Sequence, residues 1–216
     1  MRAFSEALDL GVDALELDVH LTSDGKAVVI HDRLLDRTTD MTGAIVDMSL
    51  SQIRAADAGI RKGDEFAGER VPTLREVLDL AKDRAAVMVE MKPAEEGIVS
   101  AAAEDVEATG MSDQAILASF HSSHFRGCSG RVPNVERLKL GGDDSKEFEL
   151  SNAHIAAPSK DEVNGKLVND LHRQNIAVWV WTLDEDQDIE TGLRLGADGI
   201  ISNRPDRVLE IMKGHQ

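Results

Sequence analysis

Glu16, Asp18 and His20 alternate with Leu15, Leu17 and Val19 in the run Ala14-Leu15-Glu16-Leu17-Asp18-Val19-His20-Leu21-Thr22. In a strand, alternate side chains share a face. Two carboxylates and an imidazole would therefore stand together, with the aliphatic residues on the reverse side. Carboxylates so crowded repel each other unless they share a proton or a cation, and hard divalent ions bound through oxygen are the usual partners. A second strand pattern, Lys26-Ala27-Val28-Val29-Ile30, delivers His31 at its end. If the two strands pair, an acid/base imidazole lies beside the acids. A third run, Val87-Met88-Val89-Glu90-Met91-Lys92-Pro93, places Glu90 and Lys92 on one face of an otherwise apolar segment, where charges are costly unless partnered. Acids at strand ends are as often merely solvated or salt-bridged; three acids, a lysine and a histidine on three such segments point instead to a metal-assisted site.

These residues need elements to position them, and the chain alternates strand and helix patterns. Strands are expected near 14–20, 26–30, 86–91, 115–119, 136–140, 154–156, 177–181 and 198–201. Helices are expected at 2–10, 49–56, 73–82, 97–109, 145–151, 159–174, 185–195 and 205–213, with Gly11 as a C-terminal stop for the first. Gly141-Gly142-Asp143-Asp144 reads as a loop. Such alternation favours a parallel sheet covered by helices, an α/β fold of the TIM-type (β/α)8 barrel class, whose sites gather at the C-terminal ends of the strands. No repeat, linker or low-complexity tract divides the 216 residues, so residues 1–216 are expected to form one domain.

Taken in order, Glu16-Leu17-Asp18-Val19, Val29-Ile30-His31-Asp32, Leu35-Asp36-Arg37-Thr38-Thr39, Val71-Pro72-Thr73-Leu74, Glu90-Met91-Lys92, Trp181-Thr182 and Gly199-Ile200-Ile201-Ser202-Asn203-Arg204-Pro205 resemble the glycerophosphodiester phosphodiesterase family across nearly the whole chain. The resemblance implies metal-dependent hydrolysis of glycerophosphodiesters to glycerol 3-phosphate and an alcohol. It implies Glu16, Asp18 and Glu90 as ligands of a divalent ion, Ca2+ or Mg2+. Lys92 matches the lysine near the phosphate, His31 one of two acid/base histidines, and Trp181 a segment bordering the substrate. The family's first strand carries a His-Arg-Gly motif, followed by Glu-Asn-Thr; neither occurs in this sequence. The expectation is therefore a barrel lacking its first strand, with impaired activity and self-association through the edges of the strands near 14–20 and 198–201. The alternative is a catalytically inactive barrel or fragment that binds metal or phosphate esters.

The formal charge of −16 argues against a nucleic-acid partner, since affinity for phosphate backbones comes from Lys and Arg. A phosphate substrate must then be held locally, by metal and a few basic groups: Lys92 first, with Arg37 and Arg204 behind it. Cys128 is the only cysteine, so no intramolecular disulfide forms and a reducing, cytoplasmic setting fits. No apolar run approaches the ~18 residues of a membrane span, and Met1-Arg2-Ala3-Phe4-Ser5-Glu6 lacks the apolar stretch of a secretion signal. His20 could be a further ligand or a partner of the ligands. His121 and His124 have the spacing of one helical face but read as surface residues, and Trp179 as core.

Overall fold

Leu15, Leu17 and Val19 are buried on one face of strand β1 (Ala14–Leu21). At about 1.5–3 kcal/mol for each fully buried aliphatic side chain, this face anchors the strand and lets the opposite face carry acids. The computed structural model describes residues 1–92, 97–142, 150 and 152–214, with the backbone alone at Ser129. The helix expected at 145–151, Leu150 apart, and Asp143-Asp144 of the expected loop lie outside them. Two compact units emerge, Met1–Ile116 with Gly127–Val135, and Leu117–Arg126 with Glu136–Gln216.

In the first unit, helix α1 (Arg2–Leu10) comes first. It ends at Gly11, whose φ of 85° suits a residue without a Cβ. Strand β1 then pairs antiparallel with β2 (Ala27–Val29), matching Val19 with Val29 and Leu21 with Ala27. On its other side β1 runs parallel to β3 (Ala86–Met91), with Glu16 opposite Met88 and Asp18 opposite Glu90. Helices α2 (Leu50–Ile53), α3 (Leu74–Ala81) and α4 (Ile98–Thr109) belong to this unit. The loops between β2 and α3 fold on a small core of Val28, Leu35, Ile45, Ile53, Ala56 and Val71. The Asp57 carboxylate gathers the amides of Gly59, Ile60 and Gly68. Helix α2 is shorter than the expected 49–56.

A capping box starts α3: Thr73 Oγ1 accepts from the Glu76 amide, and Glu76 Oε2 accepts from the Thr73 amide at 2.8 Å. Arg54 also donates to Glu76 Oε2 at 2.6 Å, and this guanidinium pulls the Glu76 carboxyl down to about 2. A depressed carboxyl contributes stability above its unfolded pKa and loses it as the pH falls toward the folded value. Glu76→Gln is expected to cost about 1 kcal/mol at pH 7, the upper end for a partly exposed, solvent-screened pair. The gap should close as pH falls from 4.5 toward 2. Denaturant unfolding at several pH values checks this; a gap that persists at low pH would assign the loss to packing instead.

The second unit holds β5 (Glu136–Leu140), β6 (Ile155–Ala157), β7 (Ala177–Val180) and β8 (Gly199–Ile200), paired parallel in chain order. Helices α6 (Gly165–His172), α7 (Asp186–Leu195) and α8 (Pro205–Gly214) follow β6, β7 and β8. Their core comprises Ala156, Val168, Leu171, Val178, Val180, Leu183, Ile189 and Val208. Gly199 is required where it stands: a Cβ there would lie 2.7 Å from the Trp179 ring. Helix α6 begins later than the expected 159, because the Asn164 side chain caps it by accepting from the Leu167 amide. Strand β4 (Ala115–Ser119) and helix α5 (Ser122–Arg131) each contribute to both units. The α/β class of TIM-barrel type holds, and β2 is the antiparallel strand beside seven strands of the strand–helix alternation among the described residues.

Candidate metal and phosphoester site

Strand alternation and the β1–β3 register together build the site. Glu16 and Asp18 are two residues apart on one face of β1, and the register sets Glu90 beside Asp18. One carboxylate oxygen from each of the three lies within 4.8 Å of the others, as the sequence pattern required. At that separation two such charges repel by about 3.5 kcal/mol for an effective dielectric of ~20. Lys92, continuing the same face just past β3, offsets part of this. Its ammonium lies 2.7 Å from Asp18 Oδ1 and donates to Glu90 Oε1 at 2.5 Å, with all three side chains largely shielded from water.

Three carboxylates and one ammonium leave two negative charges uncompensated. Burial, then the charges of Asp18 and Glu90, push the Glu16 carboxyl up to about 8. Glu16 keeps a solvent-exposed surface, and water there tempers both causes. Glu90 is also raised, by burial foremost, against the pull of Lys92. Lys92 is held above the ordinary lysine value because its bonds to Asp18 and Glu90 outweigh its burial. A cluster of hard oxygen donors that can ionise fully only with more positive charge beside it fits a divalent cation. Glu16, Asp18 and Glu90 are the residues that would hold it.

His31 follows β2, next to Ile30, whose amide donates to the Asp18 carbonyl at 3.0 Å. Its side chain is 66% exposed, and Nδ1 bonds to Asp32 Oδ1 at 2.8 Å. Arg37 grips the same Asp32 through two bonds, 2.5 and 2.9 Å long, and with His31 keeps that carboxyl well below the usual range. Arg37 is thus part of a His31–Asp32–Arg37 chain and not a free cation. Arg204 is likewise engaged, by Asp206 at 2.9 Å. His20, considered above as a ligand, is not one of the three grouped donors. It is buried, and its ring Nε2 donates to the His31 carbonyl at 3.2 Å.

In the second unit, Trp181 donates its indole N–H to the Ala157 carbonyl at 2.8 Å, and its ring meets Phe120 edge-on at 5.7 Å. Gly142, at φ 95°, passes so near that a Cβ would come 3.1 Å from the indole. His124, read from sequence as a surface histidine, is half-buried in α5. Its Nδ1 bonds to Ser119 Oγ at 2.9 Å, and burial, then His121, lowers its pKa. Buried Arg137, bonded to His154 at 2.7 Å, gave no sequence signal, since apolar neighbours alone do not mark a buried cation.

A family described as the glycerophosphoryl diester phosphodiesterase family matches residues 1–207. A glycerophosphodiester phosphodiesterase of Caldanaerobacter subterraneus subsp. tengcongensis is 32% identical, over 98% of this chain and 90% of its own length. One from Bacillus altitudinis is 30% identical over 98% and 91%. Among solved structures, the glycerophosphodiester phosphodiesterase of Agrobacterium tumefaciens is similar with a TM-score of 0.81 and 28% identity, over 94% of this chain and 89% of that one. An Oleispira antarctica phosphodiesterase, solved in complex with the product sn-glycerol-3-phosphate, shares the fold at a TM-score of 0.91 and 23% identity, over 97% and 89%.

Proposed function

Because the chain belongs to the glycerophosphoryl diester phosphodiesterase family, we propose that it hydrolyses glycerophosphodiesters to glycerol 3-phosphate and an alcohol with a divalent cation, Ca2+ or Mg2+, held by Glu16, Asp18 and Glu90. The observation that carries the reading is the convergence of those three carboxylates, within 4.8 Å, on a face that also bears Lys92. The sn-glycerol-3-phosphate bound to the Oleispira antarctica enzyme supports the product class.

The roles follow from the chemistry of each group. A bound cation would neutralise charge developing on the phosphoryl oxygens. Lys92 binds a non-bridging phosphate oxygen through its ammonium. His31 moves the proton: Asp32 holds Nδ1, so Nε2 is the atom that takes a proton from the attacking group or gives one to the leaving alcohol. Asp32 and Arg37 fix the imidazole's orientation. In the second unit, Trp181 is fixed by Ala157 and Phe120, and the resemblance alone assigns it to the organic part of the substrate. Among the described residues no helix is long and apolar enough to cross a membrane, and the proposed setting is the cytoplasm.

One experiment tests the reading: release of glycerol 3-phosphate from glycerophosphocholine, with Ca2+ or Mg2+ and then with excess chelator. Chelator-sensitive release is expected. Release that chelator leaves untouched would count against the metal-assisted mechanism, and cation binding without release would leave a barrel that binds metal or phosphate esters without turning them over.

A further inference from the structure

Lys92 holds the same side chains that the proposed cation needs. Its ammonium lies 2.7 Å from Asp18 Oδ1 and 2.5 Å from Glu90 Oε1. Its side chain is only 16% exposed and those of Asp18 and Glu90 13% and 10%, so water screens the cluster weakly. The lysine is therefore the counter-ion that Asp18 and Glu90 hold. A divalent cation among the same carboxylates would face a positive charge at contact range, and in so shielded a place that repulsion opposes binding strongly. The lysine has a way out that a fixed charge would lack. Residue 92 lies one position beyond β3, and four methylenes carry its ammonium, so the head can swing while the strand stays in register.

We infer that Lys92 is an intrinsic counter-ion which a divalent cation must displace, and that cation binding is the event that frees its ammonium for an anionic ligand. The inference rests on the cation reading above and adds an order of events: cation first, then phosphate on a lysine released from Asp18 and Glu90. The shared chemistry is plain. Ammonium and metal ion compete for the same oxygens, and a phosphoester takes up the ammonium that loses. In the cation's absence Lys92 satisfies the carboxylates, so the site offers phosphate little positive charge. This explains how a chain of formal charge −16 would avoid binding phosphoesters unproductively before its cation is in place.

The test is calorimetric titration of Ca2+, and separately Mg2+, into the unmodified chain, Lys92→Met and Lys92→Arg. Lys92→Met, which keeps length and loses charge, is expected to bind at least about tenfold tighter. Lys92→Arg should stay within a few-fold of the unmodified protein. Removing any nearby cation raises affinity somewhat, so a second readout follows the displacement itself. In protein labelled with 15N at lysine ζ nitrogens, the Lys92 resonance, assigned by its loss in Lys92→Met, should be protected from solvent exchange without Ca2+. On Ca2+ saturation it should shift and exchange rapidly. This readout uses the unmodified chain, so it stands even if Lys92→Met does not fold. Equal or weaker binding by a folded Lys92→Met, or a resonance unmoved by saturating Ca2+, would overturn the inference while leaving the cation site intact. If neither the unmodified chain nor Lys92→Met bound either ion, the cation reading itself would fall, and the inference with it.

Discussion

Asp18→Asn is expected to weaken divalent-cation binding by on the order of a hundredfold or more while the fold survives. Asp18 is the central carboxylate, two residues from Glu16 on β1, in register with Glu90 on β3, and in contact with Lys92. Loss of a partner in a ligand's outer shell typically costs 10–100-fold in affinity, so loss of a direct ligand charge should reach or exceed that. Stability should move little, because two effects oppose each other. The variant loses an ionic bond from Lys92, but it also relieves like-charge repulsion with Glu16 and Glu90. The strand keeps its backbone bonds, including that from the Ile30 amide to the residue-18 carbonyl. Calorimetric titration with Ca2+ and Mg2+, paired with thermal unfolding in chelator, provides the check. Unchanged affinity would remove Asp18 from the proposed ligand set, and a collapsed melting temperature would make it structural instead.

How much of this site could be read from the sequence depends on what kind of signal each residue carries. Glu16, Asp18 and Glu90 were legible because strand periodicity is local. An acid every second residue with aliphatics between fixes a face, and a lone Glu-Met-Lys inside an apolar run stands out. The partners of Arg37 were not legible, since Asp32 lies five residues away across an irregular turn where no periodicity applies. His20 shows the limit from the other side. Its face was correctly that of the acids, but the bond to the His31 carbonyl depends on how the β1–β2 hairpin closes. Helix α5 was missed because Ser122–Arg131 holds two glycines and little helix propensity. Packing overrides propensity there. Phe125 and Cys128 are fully buried, and Gly127 comes so close to Val99 that a Cβ would meet it at 3.1 Å. Helix boundaries failed where caps compete: Asn164 sets the start of α6, a choice that hydrophobic spacing does not encode.

His31→Ala is expected to lower turnover by about two to four orders of magnitude, the usual range for a positioned general acid or base, with substrate binding little changed. The structure gives reasons for both halves. Asp32 accepts from Nδ1 at 2.8 Å and is itself pinned by Arg37, so the ring presents Nε2 in a set orientation, the base-and-orienter arrangement of proton-transfer sites. Removing the imidazole removes the proton carrier and leaves the proposed ligands Glu16, Asp18 and Glu90, and Lys92 with them, in place. The backbone should hold as well, because His20 grips the carbonyl of residue 31 and not its side chain. Asp32→Asn should also lower turnover, since an amide can donate to Nδ1 and so favours the tautomer whose Nε2 already carries the proton. The measurement is the rate of glycerol 3-phosphate release from glycerophosphocholine at saturating cation, with KM determined alongside. Near-normal turnover in His31→Ala would reduce His31 to a structural residue. A loss confined to KM would make it a binding group and send the search for the proton carrier elsewhere in the chain.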